Sequence, residues 1–259
     1  MNQKTIFITG AAAGIGKATA LLFAKKGWFV GLFDLDEQAL NQLHQKIGIN
    51  NACVKVTDVA APKSVKSAAD YFSKQTQGRM DVLFNNAGIL RMGTFRELSL
   101  IDHQKTLDVN VNVNVNVNGL INCTYICYDM LAATPNAHVI NMSSASAFYG
   151  IPELSSYSAS KFAVRSLTES LNIEFECDDI TVCDIAPGYV KTPMLKNQVH
   201  KAKSLDKIGI TLTPENVAEK VWQSAHSKKI HHYMGMKVKV SPLLSPFTPV
   251  MKRVMKAIT

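Results

Sequence analysis

Thr5-Ile6-Phe7-Ile8-Thr9-Gly10-Ala11-Ala12-Ala13-Gly14-Ile15-Gly16 decides how the chain folds. Thr5–Ile8 is apolar and β-branched, and predicts a strand. Ile15–Lys26 has the periodicity of a helix, which Gly27 stops. The segment between them carries glycines, which permit a tight turn and a close approach to a pyrophosphate. The helix that follows supplies free N–H groups and the positive end of its dipole. A glycine triplet alone is weak, but one set between strand and helix is the dinucleotide-binding context.

Outward from this unit the alternation continues. Strands are predicted at Phe29–Phe33, Ala52–Val56, Val82–Phe84, Val139–Met142 and Ile180–Ile185, with a short last one near Ile230–Met234. Asp36 caps a helix to about Ile47, Pro62 suits the first position of another, and Ser155–Glu176 reads as a long helix. Helices between strands imply βαβ units and a parallel sheet buried on both faces. The fold class is α/β: a Rossmann-type doubly wound parallel sheet of about seven strands with helices on both faces. No linker divides residues 1–259, which form a single domain.

Composition excludes several classes. The 259 residues are 47% hydrophobic, which suits an ordinary globular core. The five cysteines have no disulfide or metal spacing, and neither they nor the seven histidines suggest a metal site. Reduced core thiols in a cytoplasmic protein are the expectation. The first apolar run is too short for a signal peptide. Residues 109–128 are uncharged, but five Asn in the first ten exclude a membrane span. The formal net charge is +8, and from Lys196 onward twelve Lys/Arg face three Asp/Glu. Scattered lysines on a solvated surface explain this better than nucleic-acid binding, for which the chain has no motif.

Two further features bear on chemistry. Asp34 ends the second strand, about twenty residues past the glycine loop. A carboxylate there accepts hydrogen bonds from ribose hydroxyls and repels a 2′-phosphate. Leu35, Asp36 and Glu37 supply no cation to rescue one, so NAD(H) is favoured over NADP(H). Tyr157 and Lys161 lie four residues apart, on one helical face. A free phenol titrates near 10, and a neighbouring ammonium is expected to lower that value and make Tyr157 a usable acid/base. Ser144 follows the fifth strand, where ligands bind in open α/β sheets, and its hydroxyl is placed to hold the substrate oxygen.

With these residues in hand, the chain resembles the short-chain dehydrogenase/reductase family from Thr5 to about Met194. The likeness rests on the glycine loop, Asp58-Val59, Asn85-Asn86-Ala87-Gly88, Ser144 thirteen residues before Tyr157, and Pro187-Gly188-Tyr189-Val190-Lys191-Thr192. It implies that Tyr157 is the acid/base, that Lys161 lowers its pKa and binds the nicotinamide ribose, and that Ser144 polarises the substrate oxygen. It implies a cofactor site built from Gly10, Ala13, Gly14, Ile15, Gly16, Asp34, Asp58, Val59, Asn86, Ala87, Gly88, Tyr157, Lys161, Pro187, Gly188, Val190 and Thr192. Asp58-Val59 would lie beside the adenine, and Val190 and Thr192 would hold the carboxamide.

The family also uses an Asn on the helix before strand five, whose carbonyl holds a water in a proton relay. Here Val109–Asn118 is five Val-Asn pairs, between flanks that read as helix at Asp102–Asp108 and Gly119–Leu131. Family spacing counted from the Asn-Asn-Ala-Gly motif reaches Asn110, and counted back from Ser144 it reaches Asn116. The six-residue difference is not a whole number of helical turns, so something must loop out. The local sequence Asn116-Val117-Asn118-Gly119 favours Asn116. The following helix is the one that builds a homodimer interface in the family, so a homodimer or homotetramer is expected.

Residues 195–213 are expected to form a substrate lid, offering Leu195, Val199, Leu205 and Ile208 among lysines. Residues 241–259 form an atypical basic tail, in which Val250–Ile258 reads as a short amphipathic helix. It packs on the domain or, in a second reading, rests on an anionic membrane surface. The activity expected is hydride transfer between NAD(H) and a secondary alcohol or ketone, of hydrophobic character. The competing reading, raised by the Val-Asn run, is a non-catalytic dinucleotide sensor or scaffold.

Overall fold

Alternation along the first strand sets the two layers of the core. In a computed structural model of the chain, β1 (Thr5–Thr9) is completely enclosed. Ile6 and Ile8 face one side of the sheet, and Phe7 the other. The structure describes residues 3–107 and 116–235, together with 238, 249, 252, 253, 256 and 257.

The remaining described elements follow in order: α1 (Gly14–Lys25), β2 (Phe29–Asp34), α2 (Glu37–Ile47), β3 (Ala52–Val56), α3 (Pro62–Thr76), β4 (Val82–Asn85), α4 (Leu100–Leu107) and α5 (Asn118–Ala132). After these come β5 (His138–Met142), α6 (Ser155–Glu174), β6 (Thr181–Ala186), α7 (Pro193–Lys196), α8 (Lys203–Ile208), α9 (Pro214–Ser224) and β7 (His231–Tyr233). The seven strands form one sheet in the order β3-β2-β1-β4-β5-β6-β7, and every pairing is parallel. The strand order reverses between β1 and β4. Ligands of open α/β sheets bind at the carboxyl ends of the strands flanking such a switch point.

One face buries Ile6, Ile8, Val30 and Leu32 under α1, α2 and α9. The other buries Phe7, Phe33 and Leu83 under α3 and α5. Phe7 stacks on Phe33 with centroids 3.8 Å apart and meets Phe72 edge-on at 5.3 Å. Each such fully buried side chain contributes roughly 1.5–3 kcal/mol.

A chain of buried polar groups crosses the second face beneath the site. Asn85 Nδ2 donates to Thr124 Oγ1 at 3.1 Å and to Asn141 Oδ1 at 3.0 Å, and Asn141 Nδ2 donates to Thr168 Oγ1 at 3.0 Å. It joins β4, α5, β5 and α6. Asn85 Oδ1 is buried without a hydrogen-bond partner, and the bonds that are made tie these four elements into one arrangement.

The predicted elements match closely, and Asp36 caps α2 by accepting from the Ala39 amide at 3.0 Å. Sequence reasoning missed α9. Its signal was present in Thr213-Pro214-Glu215-Asn216, where Thr213 and Asn216 form a reciprocal capping box with Pro in the first turn. Asn110, the earlier Val-Asn pairs and most of the basic tail lie outside the described residues. Among the described residues, no helix is long and apolar enough to cross a membrane, and no cluster of His, Cys, Asp or Glu is arranged to hold a metal.

Candidate active site

The glycine loop is shaped by the backbone around it. Gly10 has φ +66°, and a Cβ there would stand 2.9 Å from the Ala87 Cα. A Cβ at Gly16 would lie 2.0 Å from the Gly10 carbonyl oxygen. The third glycine therefore lets α1 pack against the end of β1. Gly16→Ala is expected to destabilise the fold by about 1–3 kcal/mol or more. Thermal melting checks this; an unchanged midpoint would contradict the packing role.

Thr9 and Asn86 sew this loop to the end of β4. Thr9 Oγ1 accepts from the Asn86 and Ala87 amides, both at 3.0 Å. Asn86 Nδ2 donates to the Thr9 and Gly10 carbonyls at 3.0 and 3.1 Å. Thr9 was not singled out from the sequence; its place at the strand end before the glycine was the available signal.

The chain fits a dinucleotide at this end of the sheet. Helix α1 begins after Ala13 with no side-chain cap and no acidic residue in its first turn. Its N-terminus is thus left to an anion. Gly14 faces Thr192, whose Cγ2 would be 3.2 Å from a Cβ there, so the glycine loop and the segment after β6 close on one another. Ile15 packs partly buried beneath the loop.

The Asp34 carboxylate is held by three backbone amides: Ala12 at 3.0 Å, Leu35 at 2.7 Å and Asp36 at 3.2 Å. It is fixed beside the glycine loop and does not cap α2. Asp58 closes its own turn by accepting from the Ala60 amide at 2.9 Å. Val59 is buried, and its carbonyl accepts from Asn122 of α5 at 2.9 Å. Pro187 ties the segment after β6 to the Ser144 loop through the Ala145 amide at 2.9 Å. Val190 bridges to Leu212, while Gly88 and Gly188 lie at the ends of β4 and β6.

Ser144, Tyr157 and Lys161 converge beyond the end of β5. The Ser144 side chain is near enough to Tyr157 to lower its phenol's pKa, and Ser144 Oγ accepts from the Ser146 amide at 3.2 Å. Lys161 is 5% exposed, and its Nζ donates to the Met142 carbonyl at 2.7 Å and lies 5.6 Å from the Tyr157 ring centroid.

The ionisation of the pair departs from expectation. Burial pushes the Tyr157 phenol up to about 12, with the nearby Ser144 side chain offsetting part of the rise and the Tyr189 side chain adding a little to it. Burial also pulls Lys161 down to about 8. Desolvation outweighs the ammonium's pull here, because Lys161 points at a carbonyl and is itself enclosed. The phenol is therefore protonated in the structure.

Asn116 is 3% exposed. Its Oδ1 accepts from the Ile89 amide at 2.9 Å, and its Nδ2 donates to the Ile89 carbonyl at 3.1 Å and to Ser160 Oγ at 3.2 Å. Ser160 in turn donates to the Tyr157 carbonyl at 2.7 Å. The fourth Asn of the run thus joins the loop after β4 to the helix that carries Tyr157 and Lys161. Ser160 was not recognised from sequence, where Tyr-Ser-Ala-Ser-Lys was read for its two ends alone.

A separate apolar cluster surrounds Tyr157, made of Leu90, Met92, Leu154, Leu195, Ala202 and Leu205. The region expected as a lid supplies Leu195 and Leu205 and is tied down. Met92 donates its amide to Gln198 Oε1 at 3.2 Å, and Tyr189 shares a hydrogen bond with Ser204 at 2.7 Å. Val199 does not join the cluster; it is 93% exposed.

Fold and site together define a dinucleotide-binding α/β protein with a Tyr–Lys–Ser cluster at the switch-point end of its sheet. Residues 4–203 match the model of the short chain dehydrogenase family. A cyclohexanol dehydrogenase from Acinetobacter sp. (strain SE19) is 33% identical over 85% of this chain and 86% of its own length. Among solved structures, a 3-ketoacyl-(acyl-carrier-protein) reductase from Brucella melitensis complexed with NADH superposes with a TM-score of 0.78 at 26% identity, covering 89% of this chain and 96% of that one. An alcohol dehydrogenase from Thermococcus sibiricus complexed with 5-hydroxy-NADP superposes with a TM-score of 0.74 at 25% identity, covering 90% of this chain and 95% of that one. The chain belongs to the short-chain dehydrogenase/reductase family of oxidoreductases.

Proposed function

We propose that this protein is an NAD(H)-dependent dehydrogenase/reductase that interconverts a hydrophobic secondary alcohol and its ketone by Tyr157 acid/base catalysis. The observation that carries this reading is the convergence of Ser144, Tyr157 and Lys161 beside an apolar cluster at the carboxyl end of β5. A bound nicotinamide would accept or supply the hydride. The chain does the rest.

In the reductive direction the neutral phenol of Tyr157 donates its proton to the substrate oxygen as hydride reaches the carbon. In oxidation the phenolate takes the alcohol proton. Ser144 donates a hydrogen bond to the same oxygen. Lys161, whose ammonium is enclosed, favours the phenolate as it forms and contributes to holding the ribose. Asn116 is assigned to the relay position, a reading supported by its bonds to both the loop after β4 and, through Ser160, the catalytic helix.

The fixed Asp34 carboxylate and the absence of a cation at Leu35, Asp36 and Glu37 support NAD(H) over NADP(H). At about 4 Å, a carboxylate facing a phosphate costs on the order of a few kcal/mol. Asp34→Ser is expected to raise the ratio of NADP to NAD kcat/KM about tenfold or more. The wild type turning over NADP as well as NAD would contradict the assignment.

The apolar lining by Leu90, Met92, Leu154, Leu195 and Leu205 supports a hydrophobic substrate. The related cyclohexanol dehydrogenase and alcohol dehydrogenase carry names that fit this class. Ile121 and Tyr125 on α5 and Phe162 and Ile173 on α6 are exposed, which supports a homodimer built on these two helices. Light scattering of the wild type and of Tyr125→Asp tests it; a monomeric wild type contradicts it. Four of the five free thiols are buried, which supports a reducing, cytoplasmic setting.

A further inference from the structure

We infer that His103 is a positioning residue for the reaction, acting on Tyr157 through a hydrogen bond to the neighbouring Ser156. This rests on Tyr157 being the acid/base.

His103 lies in α4 and is 8% exposed, and Ser156, in the first turn of α6, is 5% exposed. The imidazole is held at both nitrogens. Nε2 is 2.9 Å from the Phe95 carbonyl, which can only accept, so Nε2 carries the proton of the neutral ring. Nδ1 is then the acceptor for the Ser156 hydroxyl, 2.6 Å away. The Phe95 ring covers the imidazole with centroids 4.4 Å apart.

This bond falls where α6 needs support. The helix starts after Leu154 without a side-chain cap, so its first turn lacks the usual restraint. Tyr157 sits in that turn, between Ser156 and Ser158. On the far side, Ser160 is held by Asn116 at 3.2 Å. The catalytic tyrosine is thus bracketed by two serines, one fixed by α4 and the other by Asn116, just ahead of α5. His103 before the Val-Asn run and Asn116 within it both grip the helix that presents the phenol. Displacing a reacting group by about 1 Å costs on the order of a hundredfold in rate. A bond that fixes this turn therefore acts on kcat without touching substrate.

Three substitutions separate positioning from bulk packing. His103→Leu removes both bonds. His103→Asn keeps an acceptor at the Nδ1 position for Ser156, and His103→Gln keeps a donor at the Nε2 position for Phe95. His103→Leu and Ser156→Ala should lower kcat about tenfold to a hundredfold with KM within about twofold. His103→Asn should recover most of the loss, and His103→Gln should not. The double variant His103→Leu/Ser156→Ala should be no worse than either single one.

Hydrogen exchange provides a readout independent of turnover. The peptide covering residues 152–162 should lose protection in His103→Leu and Ser156→Ala and keep it in His103→Asn, with the β1 and β4 peptides unchanged. Unchanged exchange and kcat in His103→Leu overturn the proposal, as does recovery by Gln instead of Asn. A uniform loss of protection across the fold also overturns it, because that marks His103 as a general packing residue. A wild type inactive on every alcohol and ketone would instead sink the Tyr157 reading, while the exchange data still decide whether His103 orders the turn.

Discussion

Tyr157→Phe should lower turnover by about a thousandfold while leaving NAD(H) affinity and folding nearly intact. The replacement removes one oxygen from a ring already packed against Leu154, Leu195 and Leu205. Its loss removes the proton donor. Positioned acid/base groups contribute typically about 10²–10⁴ in rate, and among the described residues no other acid or base at the end of β5 is placed to replace the phenol. Lys161 Nζ is engaged by the Met142 carbonyl at 2.7 Å. Steady-state kinetics with calorimetric NAD(H) binding check this. A variant retaining a tenth of wild-type kcat would remove Tyr157 from the chemistry.

Lys161→Met should do two opposite things: abolish turnover and stabilise the fold. Burial lowers the Lys161 pKa from 10.5 to about 8, so enclosing its ammonium costs about 3 kcal/mol at neutral pH. Methionine fills similar space without charge, although the Met142 carbonyl loses a donor, which returns about 1 kcal/mol. The net expectation is a gain of about 1–3 kcal/mol at pH 7. The pH dependence gives a sharper test. Between about 8 and 10.5 the unfolded chain binds the lysine proton and the folded chain does not, so this group makes the wild type more stable as pH rises through that window. Below about 8 both states hold the proton and the penalty is constant. The methionine variant should lose this rise, and the two stability curves should converge toward pH 10.5. Denaturant unfolding at several pH values measures both. A variant less stable than wild type at pH 7 would mean that the bond to Met142 outweighs the desolvation of the charge.

Strand and helix order was readable because each buried strand is a short apolar run stopped by Gly, Asp or Asn. Ile6, Phe7 and Ile8 prescribe two covered faces before any tertiary contact is known. The position of the chemistry was readable for a similar reason: Gly10, Ser144 and Tyr157 sit at fixed distances from strand ends. Three things were not readable. Helix α9 starts at a capping box whose Asn216 replaces the usual Glu or Gln, so the local signal was weaker. The choice between Asn110 and Asn116 depends on what the side chain meets across the fold. Asn116 grips Ile89, which is remote in sequence. The ionisation of Tyr157 and Lys161 depends on how far each is desolvated. Spacing showed that they share a helix face, but not that the ammonium is directed at Met142.

The repeat that casts doubt on catalysis leaves the described site intact. Asn116 reaches Tyr157 through Ser160, Lys161 lies by the Tyr157 ring, and His103 holds the other flank. If the account is right, deleting three Val-Asn pairs upstream of Asn116 should leave turnover within a few-fold, whereas Asn116→Ala should reduce it about tenfold or more.

The most direct measurement is NAD reduction by the wild type across secondary alcohols of increasing apolar size, run beside calorimetric binding of NAD. NAD should bind and be reduced by at least one hydrophobic alcohol, with kcat/KM rising as the apolar part grows. Tight NAD binding with no reduction by any alcohol, and no oxidation of NADH by the matching ketones, would contradict the dehydrogenase reading and leave a dinucleotide sensor in its place.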